Sequence, residues 1–183
     1  MVHPYRLDAP AQVVGAALGA DPGRDVWQRG SVIPGSFAPV VIRGKDRARY
    51  LIPRLWGVPP PPRGTHAVTH VRNLESPFWI GTLRHTEFRC LVPATSFCAT
   101  RGTRAQWLGV PGHPIIAFAG IWRDSEIPSF AIVTTEGSLG GIVSLPLILP
   151  REHWHEWLCG DWKRAQRLVT LGGSPLDLVA ATG

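Results

Sequence analysis

The sequence predicts an α+β fold with strands through its middle and a helix near each end, and three observations carry that reading. Eighteen prolines and 20 glycines in 183 residues break the chain into short pieces, which disfavours long helices and favours strands joined by turns. Short apolar runs rich in β-branched residues recur between residues 39 and 149. Two further stretches, one near each end, space their apolar residues at helical intervals. At 44% hydrophobic residues the chain has material for one respectable core, and residues 1–183 are read as one domain.

Taken in order, Asp8 is placed to cap a first helix with Pro10 in its first turn. Val13, Val14, Ala17 and Leu18 share one face before Gly19 stops it. Six strands follow: Pro39–Ile42, Ala48–Ile52, Arg89–Val92, Ile115–Trp122, Pro128–Thr134 and Leu147–Leu149. The tract Pro59–Pro62 reads as a rigid surface excursion rather than a linker. Pro150–Leu168 reads as a second helix with Trp154, Trp157, Leu158 and Leu168 on its apolar side, ending before Gly172 and Gly173. The tail from Leu176 to Gly183 holds a short strand-like run that closes the sheet or frays.

The 19 Lys plus Arg against 13 Asp plus Glu leave a net charge of +6. Only Lys45 and Lys163 are lysines, so the excess is arginine, which forks onto phosphates and stacks on bases. That composition favours a nucleic-acid partner; a soluble basic protein with scattered arginines has it too. Cys90, Cys98 and Cys159 show neither metal-ligand spacing nor a disulfide framework, which suits a reducing compartment. No apolar h-region follows the first residues and no window is long enough to cross a membrane, so a cytoplasmic protein is expected. His153 and His155 lie on different helix faces, and Gly137–Gly141 lacks the lysine of a phosphate loop. No metal and no cofactor is expected.

A set of short blocks carries the functional reading: Leu55–Trp56–Gly57–Val58–Pro59, then Phe88–Arg89–Cys90–Leu91–Val92–Pro93–Ala94. Ala117–Phe118–Ala119–Gly120–Ile121–Trp122 and Phe130–Ala131–Ile132–Val133–Thr134–Thr135 follow. In this order they resemble the SOS-response-associated peptidase (SRAP) family, over nearly the whole chain. The resemblance implies a bent, barrel-like, largely antiparallel β core with short flanking helices. It also implies a protein that acts on abasic sites in single-stranded DNA, through an N-terminal cysteine whose thiol and α-amine trap the opened sugar.

At the positions where the family carries that chemistry this sequence departs from the pattern. Val2 stands in place of the cysteine, so no thiazolidine can close; it either packs the end of an N-terminal strand or offers its α-amine as a Schiff-base nucleophile. His70, in Thr69–His70–Val71–Arg72, replaces an asparagine, and is either a proton donor and acceptor or a bystander. Ala99 stands where a glutamate shuttles protons, and Val143 is the nearest match to the family's histidine. Cys98 has no histidine nearby in sequence and reads as a core thiol. What the resemblance leaves is a DNA surface: Trp56 as a stacking edge or a core residue, Pro34 in a loop that wedges beside the lesion, and Thr135. Arg72 joins them as a phosphate contact, or else a salt bridge to Glu75 or Asp46. The expected function is therefore non-covalent binding of single-stranded or abasic DNA in a DNA-damage response by a monomer. The rivals are a residual enzyme acting through Val2, by Schiff base and β-elimination, and a protein-interaction domain that has left DNA.

Overall fold

The computed structural model describes residues 4–24, 27, 29–101, 103–139, 142–172 and 178–181; the side chains of 101, 136–139, 142 and 143 are outside this description. Strands β1 (Tyr5–Leu7), β2 (Gly30–Val32), β3 (Phe37–Arg43), β4 (Arg49–Trp56), β5 (His70–Val71) and β6 (Arg89–Ala94) occupy the first half. They are followed by β7 (Ser96–Arg101), β8 (Arg104–Gly109), β9 (Ile116–Arg123), β10 (Ser129–Leu139), β11 (Ile142–Pro146) and β12 (Val179–Ala180). Four helices accompany them: α1 (Ala11–Leu18), α2 (Pro77–Arg84), α3 (Trp154–Cys159) and α4 (Trp162–Thr170).

The strands form two sheets. The smaller runs β12-β8-β7-β1-β2, and the larger β11-β10-β4-β3-β6-β9 with β5 added along β10. Nearly all neighbours are antiparallel; the exceptions are β10 against β4 and β10 against β5. β10 pairs with β9 over Ser129–Ile132 and reaches back to β4 through only Ser129↔Leu55 and Phe130↔Trp56. The expected bent β core is thus observed: the larger sheet curls until β10 meets both β9 and, through two residue pairs, β4.

Alternation decides which side chains go to which layer. Val40, Trp56, Val92, Phe118 and Phe130 of the larger sheet meet Tyr5, Phe97 and Leu108 of the smaller one. Val41, Leu51, Leu91, Ala117 and Val133 point the opposite way, onto Val14, Leu18, Trp79, Trp157 and Leu168 of the helices. Two cores therefore share the central sheet, which is why its strands read as continuous apolar runs rather than alternating ones.

Several local expectations are corrected. Asp8 does not cap α1: the N-cap is Pro10 with no side-chain cap, and Asp8 pairs instead with Thr95 across the β6–β7 turn. Val13 is exposed while Val14 and Leu18 are buried; Gly19 ends the helix as expected, in the left-handed conformation that suits glycine. Leu147–Leu149 is not a strand of its own: β11 precedes it, and only an isolated bridge, Phe118↔Ile148, ties it to β9. Helix α2 was not anticipated, although Ser76 accepts from the Phe78 N–H and Pro77 opens the first turn.

The helix expected over Pro150–Leu168 is instead a 3-10 turn, Arg151–His153, followed by α3 and α4. Asp161 breaks the run by accepting from the Arg164 N–H as the N-cap of α4. The orphan carbonyls at the end of α3 are met by Arg89, a fully buried cation. Its Nη1 donates to the oxygens of Trp157 (3.1 Å) and Gly160 (2.7 Å), and its Nε to Leu83 O (3.0 Å). Burial lowers the Arg89 pKa, while the nearby Asp161 and Cys159 work against that shift.

Candidate nucleic-acid interface

Trp56 ends β4, and the sequence needs glycine immediately after it: Gly57 turns with φ 132° and its N–H donates to Phe130 O. The Trp56 indole is directed inward and is 0% exposed. It lies nearly parallel to Phe130 at 6.3 Å and tilted against Tyr5 at 5.2 Å, and its Nε1 donates to Thr69 O at 3.1 Å. The expectation of a stacking edge for an unpaired base is corrected here. Both ring faces are covered and the single donor is used, so Trp56 is a core residue that supports the site from beneath.

His70 rests on that support. Its half-buried ring meets the Trp56 edge at 5.8 Å, and its Nδ1 shares a hydrogen bond of 3.0 Å with Thr69 Oγ1. Strand β5 lies parallel to β10, with His70 beside Ile132 and Val71 beside Val133. Arg72 follows at the strand's end and is exposed. Among the described residues it makes no ion pair, with Glu75, Asp46 or any other carboxylate. Asp46 is held in its own turn, accepting from the Tyr50 hydroxyl and the Ala48 N–H.

Thr134 Oγ1 donates to Val71 O at 3.3 Å, which brings the end of β5 against β10 where Thr135 follows; Thr135 is half-buried and hydrogen-bonds Leu145 O at 3.5 Å. Pro34 sits exposed in the β2–β3 turn. That turn is tied to the same place, since the Gly35 N–H donates to Trp56 O and the Trp56 N–H to Ser36 O. Pro34 thus lies by the end of β4, while His70, Arg72 and Thr135 lie along the adjoining β5–β10 pair.

Ile33 and Phe37, 55% and 58% exposed, flank Pro34 and were missed in the sequence. Their signal is two large apolar residues bracketing a Pro-Gly turn, where polar residues are the rule. They turn the Pro34 loop into an apolar ridge.

Ala99 lies on β7 opposite Gln106, nearly fully buried in the apolar cluster that contains Trp56 and Tyr5. No carboxylate stands at this position. Cys98 next to it is half-buried, and burial pushes its thiol up, away from the thiolate a nucleophile needs. Val2 lies outside the described residues. Val143 falls within β11, but its side chain is outside the description. Among the described residues no group of three or more His, Cys, Asp or Glu side chains could hold a metal ion. No described helix is long and apolar enough to cross a membrane.

The model of the SOS response associated peptidase (SRAP) family matches residues 5–178. The chain belongs to the SRAP family. Solved structures that share the SRAP chain's fold include these three. A phage-related protein of Bordetella bronchiseptica superposes with a TM-score of 0.76 at 20% identity, over 100% of this chain and 95% of its own. A second Bordetella bronchiseptica protein gives 0.76 at 16% identity, over 100% of both chains. A Bacteroides thetaiotaomicron protein gives 0.73 at 20%, over 91% of this chain and 85% of its own. No curated protein matches the chain.

Proposed function

We propose that this SRAP-family protein binds single-stranded DNA, abasic strands included, without forming a covalent bond. The observation that carries the reading is Arg72: an exposed guanidinium with no ion-pair partner among the described residues, at the end of the strand that holds His70. A phosphate satisfies such a fork with two parallel hydrogen bonds. The Ile33–Pro34–Phe37 ridge supplies the apolar surface on which unstacked bases rest, a role that Trp56 cannot take.

Loss of the covalent step follows from the sequence. Val2 carries no thiol, and Ala99 places a methyl group in an apolar cluster where a proton shuttle would be needed. The protein works as a monomer in the cytoplasm, where damaged single-stranded DNA arises. Fluorescence anisotropy with abasic, intact single-stranded and duplex oligonucleotides tests this. The expected order is single-stranded, with or without the lesion, above duplex; equal and weak binding of all three, unaffected by Arg72→Ala, would overturn it.

A second reading draws on the same ridge. Ile33, Phe37 and Ile127 are exposed apolar side chains of the kind that dock proteins. It gains if the protein fails to bind any DNA.

A further inference from the structure

At the far end of the β3–β4 hairpin, a concavity of about 280 Å³ opens between the hairpin turn and α3, lined by Arg43, Arg47, Arg49, His155, Leu158 and Cys159. Arg43 and Arg49 are direct cross-strand partners, a like-charge placement that repels unless something sits between the two heads. Arg47 is the one non-glycine residue among the described residues with a left-handed backbone, φ 69°. A turn position of this kind is cheap for glycine, yet the chain holds an arginine there.

No carboxylate among the described residues is ion-paired with the group, although Asp46 in the turn and Asp21 beside Tyr50 reduce its net charge. Among the described residues none of the three arginines makes an ion pair. Asp46, the one carboxylate of the turn, accepts from Tyr50 and Ala48. Lys45 adds a further positive charge to the turn. On α3, Glu156 is turned to His153 (3.4 Å) and Arg167 (3.0 Å), leaving His155 and Cys159 as the titratable groups on that wall. Asp21 bridges beside Tyr50, and its carboxylate accepts from the Gly23 N–H. Arg49 spends one nitrogen on the Leu18 carbonyl at the end of α1, which fixes its head while its other donors stay available.

We propose that this concavity is a second anion site and takes a phosphate group. Three guanidinium forks converging with an imidazole suit a tetrahedral, multiply charged anion better than a carboxylate, which one fork satisfies. The site is separate from the one around Trp56. The Arg43↔Arg49 pair lies six residues along the hairpin from Phe37↔Leu55, roughly 20 Å at about 3.3 Å per residue. The phosphate belongs either to a small free phosphate compound or to the backbone of a strand long enough to reach both sites.

The test is calorimetric titration of the full chain with inorganic phosphate, pyrophosphate, and short and long single-stranded oligonucleotides, with the variants Arg43→Gln and Arg47→Gly. Saturable binding of phosphate or pyrophosphate, weakened about tenfold or more by either variant, assigns the site to a small phosphate compound. Weakening of the long oligonucleotide alone assigns it to strand backbone. Arg47→Gly should melt at or above the parent temperature because glycine accepts φ 69° freely, so lost binding cannot be blamed on lost folding. No saturable binding of any probe, or the same affinity in parent and both variants, would overturn the proposal. A failure of Arg72→Ala to affect DNA touches only the other site.

Discussion

The indole Nε1 of Trp56 donates to the carbonyl of Thr69 at 3.1 Å, so the strand that presents His70 and Arg72 is anchored to the interior of the molecule by a tryptophan. The anchor is reinforced by the Ile132 N–H, which donates to the same oxygen. The position of Arg72 at the surface is in this sense decided from below.

Trp56→Ala is expected to destabilise the fold by about 3–5 kcal/mol, the range for emptying a large buried aromatic site. Trp56→Phe should cost less, on the order of 1–2 kcal/mol, because the ring volume is largely kept and one hydrogen bond is lost. Urea unfolding measures both. A Trp56→Ala protein as stable as the parent would show that the ring is not in the core.

Arg72→Ala is expected to leave the melting temperature within a degree or two of the parent, since the side chain is exposed and makes no ion pair among the described residues. Its effect should appear in salt titrations of single-stranded DNA binding. The log-log slope should flatten by about 0.7, the share of one neutralised phosphate on a single strand. An unchanged slope would remove Arg72 from the interface.

Incubation with an abasic oligonucleotide is expected to give no heat-stable adduct on a denaturing gel, because Val2 has no thiol. Val2→Cys alone should restore little, with Ala99 still lacking a carboxylate. Borohydride distinguishes the amine route: a trapped adduct would establish a Schiff base and return the protein to the enzymes.

Alkaline stability should fall in a defined direction. Burial raises the thiol of Cys90 and, with Cys90 as a smaller contributor, the phenol of Tyr5. Both are therefore protonated when folded at pH values where the unfolded chain has begun to lose those protons, near 8.5 for cysteine and 10 for tyrosine. The unfolded state binds fewer protons there, so stability is full below about pH 8.5 and declines as pH rises toward the raised folded values. Cys90→Ala should make the decline between about pH 8.5 and 10 shallower, the remainder coming from Cys98, whose thiol burial also raises, in thermal melts between pH 7 and 11. An identical profile in parent and variant would contradict this.

The strands β3, β6, β9 and β10 were legible in the sequence because a sheet covered on both faces leaves continuous apolar runs, and Gly19 marked the end of α1 correctly. The break between α3 and α4 was not legible, because Asp161 as a cap competes with an apolar period that runs on past it, and Arg89 from another part of the chain meets the carbonyls the break exposes. The proposed departures at Val2, His70, Ala99 and Val143 rest on residue types alone. Trp56 could not be placed, since Trp-Gly at a strand end gives no sign of which way the indole turns. The arginines at 43, 47 and 49 look scattered along the chain until the hairpin register sets two of them opposite each other.

The clasp around Arg89 bears on how the chain is made. Its two helix-end acceptors, Trp157 and Gly160, follow it by 68 and 71 residues. During synthesis β6 leaves the ribosome long before either carbonyl exists, so the half already made holds a cation it cannot yet bury. Completion of the helix-covered core must then wait until Trp157 and Gly160 have been translated, and a nascent protein stalled before Gly160 should remain open to proteases.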